Sequence, residues 1–178
     1  LTYHTGPLGF SSRCADGRFL STELAKDGSI KKQTRTAAFF SSDDSPIYER
    51  PAVIDNVAYF PSLAGLVHPV DMSGSVAKVG EAWNLVPEAQ RKEKWGPGGI
   101  GLIDQDDLGR FYIIMHPDAS EPTYQGGGPE VWVYDAAKGQ RVQRIALQEW
   151  GLSLAVSRGE KPLLMVTNPT DMSLEIYD

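Results

Sequence analysis

Histidines, aspartates and glycine-rich segments are the residues here whose types could support catalysis or ligand binding. His4, His68 and His116 stand far apart, and none belongs to a His-Glu-x-x-His motif or a similar metal-ligand pair. The last two lie at or near expected strand ends, where histidine usually hydrogen-bonds a loop. No Gly-x-Ser-x-Gly nucleophile elbow is present. The sequence therefore predicts no catalytic residue, no cofactor-binding residue and no metal ligand in this chain.

Two glycine-rich segments and one acidic segment match binding motifs only in part. Residues 96–101 spell G-x-G-x-x-G, but a helix is expected before them and a strand after them, the reverse of a dinucleotide site. We predict a tight loop beneath Trp95 instead. The glycines 126–128 are not followed by Gly-Lys-Ser/Thr, so a hairpin loop is expected. The acidic segment 104–107 lacks the ligand spacing of an EF-hand, and we expect a solvated turn.

Composition limits the classes of partner. The chain has 178 residues, with 17 Lys+Arg against 23 Asp+Glu, and a formal net charge of −6. An acidic balance argues against nucleic acid and anionic membrane as partners, because phosphate neutralisation needs a basic face. No apolar run approaches the roughly 18 residues of a membrane span, and no leader pattern is visible at the N-terminus. The 18 Gly and 12 Pro favour a fold with many turns.

Strand-length segments recur along the chain in groups of four, separated by turn residues. The second strands of the groups begin near Leu8, Val57, Phe111 and Leu163, which gives steps of 49, 54 and 52 residues by subtraction. A unit of roughly 50 residues with four antiparallel strands is typical of a propeller blade. We therefore predict an all-β fold, a β-propeller of four-stranded antiparallel blades.

The groups predict blade boundaries within a single propeller domain. The predicted blades cover approximately residues 1–40, 47–83, 98–148 and 151–178, with a short helix over 87–94. The fourth group has three strands, so about three and three-quarter blades are expected. Propellers close with about four to eight blades, and we therefore expect a piece of a larger propeller. A small sandwich of about 15 strands is the alternative.

Residues 86–99, VPEAQRKEKWGPGG, resemble a segment of a known family. The heavy subunit of the quinone-dependent amine dehydrogenases, the methylamine and aromatic amine dehydrogenase family, has a short Glu-, Ala- and Arg-rich helix that runs into Trp-Arg-Pro-Gly-Gly. Gly96 stands where the family usually has Arg. Similarity continues in family order through 110–116, 130–135 and 174–178. The resemblance implies the middle and later blades of a seven-bladed subunit.

The resemblance also implies a function, a cofactor and partners. Such a heavy subunit is the non-catalytic part of a periplasmic oxidoreductase that converts a primary amine into aldehyde and ammonia. The cofactor is tryptophan tryptophylquinone, made from two tryptophans of a small light subunit. The expected assembly is an α2β2 heterotetramer that passes electrons to a blue-copper protein of the amicyanin or azurin type. The identity of the amine is left open.

Four residues of the family-like segment are candidate structural positions. Trp95, Pro97, Gly98 and Gly99 are predicted to form the loop that leads into the third blade. Replacing Gly98 or Gly99 by Val is expected to destabilise the fold, because a β-branched residue takes positive φ only at a cost.

Cys14 is the single cysteine. Taken alone, it is typical of a buried small hydrophobe. The resemblance instead places it at one half of a heavy-chain disulfide, whose other half would fall just before Leu1. That pairing would imply an oxidising periplasm.

A second hypothesis is a propeller that acts as a binding scaffold, or as a lactonase-like hydrolase. It requires a cluster of His, Asp and Glu at the central channel. The sequence provides none at motif spacing.

Overall fold

The computed structural model describes residues 1–120 and 123–178, which form four antiparallel β-sheets. Sheet 1 contains β1 (Thr2–His4), β2 (Gly9–Arg13), β3 (Phe19–Leu24) and β4 (Ile30–Arg35). Sheet 2 contains β5 (Ala52–Ile54), β6 (Val57–Pro61), β7 (Leu66–Asp71), β8 (Lys78–Val79) and β9 (Trp83–Asn84). Sheet 3 contains β10 (Gly96–Pro97), β11 (Ile103–Gln105), β12 (Arg110–His116), β13 (Gly128–Asp135) and β14 (Gln140–Gly151). Sheet 4 contains β15 (Ser153–Val156), β16 (Leu164–Asn168) and β17 (Ser173–Tyr177).

Sheets 2 and 3 each have four strand positions, and in each sheet two short strands share one of these positions. β8 and β9 both pair with β7, and β10 and β11 both pair with β12. Neighbouring positions follow one another along the chain, as in a meander. The predicted all-β class with four-stranded antiparallel sheets is therefore confirmed. Sheet 4 has three strands, as the sequence predicted.

Two Asp-Gly turns determine the hairpins of sheet 1. Gly17 and Gly28 have φ of 78° and 84°, a region that glycine enters without the steric cost of a Cβ. In each turn the glycine N–H donates a hydrogen bond to the carbonyl three residues earlier. Gly17 donates to Cys14, and Gly28 donates to Ala25. The turn chemistry read from the sequence thus accounts for two of the three hairpins of sheet 1, β2–β3 and β3–β4.

The predicted helix over 87–94 forms as a 3₁₀ helix, Glu88–Glu93. Its hydrogen bonds span three residues, from Gln90 N–H to the Pro87 carbonyl and from Lys94 N–H to the Arg91 carbonyl. Lys94 ends the helix in the left-handed region, at φ 52°. No helix residue is buried, so no apolar contact favours a longer α-helix.

Aromatic side chains join the sheets face to face. Between sheets 1 and 2, Phe19 meets Phe60 edge to face at 5.4 Å. Between sheets 2 and 3, Tyr59 lies 5.9 Å from Phe111, which stacks on Tyr134 at 5.1 Å. Such pairs contribute about 0.5–1.5 kcal/mol each beyond the area that they bury. The core therefore lies in layers between successive sheets.

In sheets 2, 3 and 4, the strands β5, β11 and β15 lie side by side. β11 contacts both β5 and β15. A parallel bridge joins Gly101 to Ser153, and the Val53 N–H donates to Oε1 of Gln105 at 3.0 Å. These strands form an inner edge, and the sheets extend outward from it. Within the described residues, no helix has the length and apolar character to cross a membrane.

Candidate functional site

The segment that leads into sheet 3 is held by hydrogen bonds at each step. Pro97 pairs with Met115 in β10, so it lies in a short strand and not in the loop that the sequence predicted. A strand is possible there because proline needs no donor at this sheet edge. Its carbonyl accepts a hydrogen bond from the Tyr48 hydroxyl at 2.7 Å. The Gly98 N–H donates to the Ile114 carbonyl at 3.1 Å.

Gly98 and Gly99 are required for different reasons. Gly99 has φ of 131°, as expected, and an added Cβ would lie 2.6 Å from the Leu152 carbonyl oxygen. Gly98 lies outside the positive-φ region, so the expected reason is wrong at this position. Its constraint is space, because a Cβ would lie 2.5 Å from Cδ2 of His116 and 2.9 Å from the Gly127 carbonyl oxygen.

Trp95 packs within a group of aromatic and charged side chains. Its ring lies 5.2 Å from that of the fully buried Trp132, and the Arg144 guanidinium lies 5.1 Å from each ring. Glu130 accepts two bonds from Arg144, each of 2.7 Å, and one of 2.6 Å from Nε1 of Trp132. Burial acts to raise the pKa of Glu130, but these donors hold it below its usual value.

His116 borders Gly98 and is buried. Its Nδ1 lies 3.0 Å from the Pro117 carbonyl, the loop contact that the sequence suggested. Burial lowers the pKa of His116, so the neutral ring is favoured. Among the described residues its Nε2 has no hydrogen-bond partner. His68 differs from the expectation, because it lies inside β7 and packs 5.7 Å from the ring of Phe39.

In the acidic segment 104–107, only Asp107 lies in an exposed turn as the sequence predicted. Asp104 lies in β11, and the prediction is wrong for Asp106. Asp106 is buried and accepts bonds from the Leu108 and Arg110 N–H groups, both at 2.9 Å. It also forms an ion pair with Nε of Arg110 at 2.6 Å and accepts a hydrogen bond from the Tyr112 hydroxyl at 3.1 Å. Asp106 is therefore a structural anion that fixes the β11–β12 hairpin.

Asp104 and Asp107 connect sheet 3 to sheet 4. The Val156 N–H donates to Oδ2 of Asp104, and the Gly159 N–H donates to Oδ2 of Asp107, both at 2.8 Å. Arg158 adds an ion pair with Asp104 at 3.2 Å. The partners lie more than 50 positions apart, so no local pattern in the sequence predicts this contact.

Cys14 follows β2 and is partly exposed. Its Sγ lies 3.9 Å from the Ser12 carbonyl oxygen. β1 pairs with β2 so that Thr2 faces Ser12 and Tyr3 faces Ser11. Extended by two residues, this register sets Cys14 opposite the position immediately before Leu1.

An open cleft of about 710 Å³ lies where the four sheets meet. We call it the Ile100 cleft. Its lining comes from segments of all four sheets and their connections: Arg13, 46–50, Leu63, 99–102, 124–125 and Ser153. Sequence reasoning missed it, because segments this distant in the chain meet only through the order of the sheets. Within the described parts of the chain, no three His, Cys, Asp or Glu side chains are grouped to hold a metal ion.

Comparison with known proteins gives the family. The family profile described as "Methylamine dehydrogenase heavy chain (MADH)" matches residues 2–178. The chain belongs to this family. Methylamine dehydrogenase heavy chains from Methylorubrum extorquens and Paracoccus versutus are 26% and 28% identical to it, over 181 and 184 residues. Both alignments cover 99% of this chain, but only 44% and 42% of the relatives, so the chain spans less than half of their length.

Solved structures agree on the fold. The β-propeller domain of Cps50 (Swd1) from Myceliophteria thermophila matches with a TM-score of 0.59 at 8% identity, over 99% of this chain and 52% of that one. The Dos1 propeller matches with a TM-score of 0.51 at 12% identity, over 97% and 44%. At these identities the likeness concerns the fold alone. The predicted β-propeller is confirmed, and the four sheets correspond to blades.

Proposed function

We propose that this chain is part of the heavy, non-catalytic subunit of a periplasmic quinone-dependent amine dehydrogenase. The enzyme converts a primary amine into aldehyde and ammonia and passes the two electrons to a blue-copper protein of the amicyanin or azurin type. The observation that carries this proposal is the family match over residues 2–178. The propeller supplies a rigid scaffold for the subunit that performs the chemistry.

The redox cofactor of the proposed enzyme, tryptophan tryptophylquinone, belongs to the light subunit. The packing of this chain's own tryptophans supports that assignment. Trp95 and Trp132 are in contact, but Nε1 of each donates to a carboxylate, Glu93 or Glu130, and Arg144 lies against both rings. These contacts suit a packed structural pair.

A periplasmic location would permit a disulfide at Cys14. The strand register supports the proposed pairing. If the β1–β2 pairing continued two residues beyond Thr2 and Ser12, Cys14 would face the position before Leu1, where the family resemblance places the other cysteine. An antiparallel cross-strand pair brings two Cα atoms to about 4.5–5.5 Å, within the range that a disulfide spans.

We further propose an α2β2 assembly of heavy and light subunits. Purification of the native protein from its source tests the partnership. A small, disulfide-rich chain is expected to co-purify in equal amount, and a folded protein that carries no partner would contradict the proposal. One tightly held divalent ion per chain would instead favour a scaffold or a lactonase-like hydrolase.

A further inference from the structure

The two Asp-Gly turns of sheet 1 contain the same dipeptide in different surroundings. Gly17 is buried, and an added Cβ would overlap the Phe40 carbonyl oxygen. The Gly17 carbonyl also accepts the Phe39 N–H at 2.9 Å. Gly28 is exposed, and among the described residues no atom beyond its chain neighbours would lie within 4 Å of such a Cβ. The fold therefore packs one Asp-Gly bond against a neighbouring segment and leaves the other in solvent.

An Asp-Gly bond rearranges without any added reagent once its backbone is free to move. The main-chain nitrogen of the glycine attacks Cγ of the protonated aspartate carboxyl, and the carboxyl hydroxyl leaves as water with the proton of the attacking N–H. The product is a cyclic succinimide. Water then opens the ring at one of its two carbonyls, which gives either aspartate again or isoaspartate, whose main chain runs through the former side-chain carboxyl. Glycine favours this attack because it has no Cβ to crowd the ring and because its backbone is conformationally free.

The turn around Gly28 is closed by hydrogen bonds that water can replace. The Gly28 N–H donates to the Ala25 carbonyl at 2.9 Å, and the Ala25 N–H donates to the Ser29 carbonyl at 2.8 Å. Residues 26–29 are all exposed, so opening of the turn removes little packing. Local opening of such segments costs far less free energy than global unfolding. The nitrogen of Gly28 is therefore freed more often than that of Gly17, whose turn must first leave a packed contact.

Ser29 restrains the carboxylate of Asp27. Its N–H and its hydroxyl both donate to Oδ1 of Asp27, at 3.0 Å and 2.6 Å. These bonds, the hydroxyl bond above all, hold the pKa of Asp27 below its ordinary value. Because the succinimide forms from the protonated carboxyl, a lowered pKa reduces the reactive fraction at neutral pH. Ser29 therefore slows the attack on Cγ.

We propose that Asp27 is a site of spontaneous isoaspartate formation in the folded chain and that Ser29 limits its rate, whereas Asp16, in the packed turn, remains aspartate. The product adds one carbon to the main chain at the tip of the β3–β4 hairpin. The two hydrogen bonds that close this turn then lose their geometry, and the outer strand β4 is held less firmly. This inference is independent of the proposed function.

The test is incubation of the purified native protein at physiological temperature and neutral pH, followed by proteolysis and separation of the peptides that contain Asp16 and Asp27. Isoaspartate has the mass of aspartate but a different retention, and its free α-carboxylate is a substrate for enzymatic methylation. It is expected to form at Asp27 about tenfold faster than at Asp16, or more. In urea the two sites are expected to react at similar rates, which assigns the difference to the fold.

Variants at the two turns test the part played by Ser29. Ser29→Ala is expected to raise the rate at Asp27 about threefold or more, because the hydroxyl donor is removed. Arg18→Ala is the matched control. It removes a guanidinium 3.5 Å from Oδ2 of Asp16 and should leave Asp16 unmodified, because the turn stays packed. Both variants are expected to melt as wild type does. Equal rates at Asp16 and Asp27 in the folded wild type, or no isoaspartate at Asp27 in Ser29→Ala, would overturn the proposal.

Discussion

Single residues around the β10–β12 contact determine how closely two backbone segments approach. Gly98 lies against the ring of His116, and Gly99 lies against the Leu152 carbonyl. Both glycines were identified from the sequence, but only for a conformational reason. A preference for positive φ can be inferred from the local sequence, whereas the packing of His116, 18 residues away, cannot. The structure supplies the steric reason for Gly98.

Gly98→Ala is expected to lower the free energy of unfolding by about 1–3 kcal/mol, because the new methyl group overlaps the imidazole of His116. Gly74→Ala is the matched control, since its nearest neighbour would lie at an ordinary 3.9 Å and its φ is not positive. Urea unfolding of the two variants gives the measurement. Equal stability of both would refute the steric assignment at Gly98.

The lowered pKa of Asp106 predicts that the free energy of unfolding depends on pH. Burial acts to raise its pKa, but the Arg110 backbone and guanidinium and the Leu108 N–H hold the pKa below the ordinary 3.8. A lowered pKa means that the charged form stabilises the fold at neutral pH and that this contribution is lost as the pH falls below 3.8.

Asp106→Asn is accordingly expected to cost about 2–3 kcal/mol at pH 7, with the difference from wild type narrowing toward about pH 3. Asp43→Asn, in an exposed turn, controls for loss of one negative charge. Unfolding curves across this pH range measure the effect. A difference that stays constant with pH would contradict the account of Asp106.

Strands and turns were largely predictable, whereas the contacts between sheets were not. The Asp-Gly turns and alternating segments determine local pairing. The strands β2, β6, β12 and β16 therefore begin within one residue of the predicted starts near Leu8, Val57, Phe111 and Leu163. The helix over 87–94 was predicted, but its 3₁₀ geometry and the division of one strand position into β10 and β11 were not. The same applies to Asp104, whose partner lies in the next sheet.

At the scale of the strands and sheets, Asp104→Ala is expected to weaken the contact between sheets 3 and 4. Exchange of the Val156 amide should quicken by about tenfold, because its acceptor is removed. The Ser157 amide bonds to Leu163 within sheet 4 and should change little. Asp135→Ala, which removes contacts with the ammonium and backbone N–H of Lys138 within sheet 3, is the control variant. Hydrogen exchange resolved by residue distinguishes them, and an unchanged Val156 rate would refute the connection.

At the scale of the whole molecule, the repeat of roughly 50 residues and the family-like segment at 86–99 predicted the propeller and the family. The Ile100 cleft could not be predicted in this way, since it forms only where four sheets converge. The chain contributes layers of packed sheet and a shaped surface. The carboxylates of the buried Asp106 and the partly buried Glu130 are engaged by structural donors. These properties suit a scaffold subunit.

The visible absorption spectrum of the native complex, recorded before and after addition of a primary amine, tests the central claim most directly. A heavy subunit in complex with a quinone-bearing light subunit predicts a visible band that bleaches when the amine reduces the quinone. The bleaching should reverse when an electron acceptor is added. A featureless spectrum that does not respond to amine would contradict the assignment to an amine dehydrogenase and leave a propeller with another role.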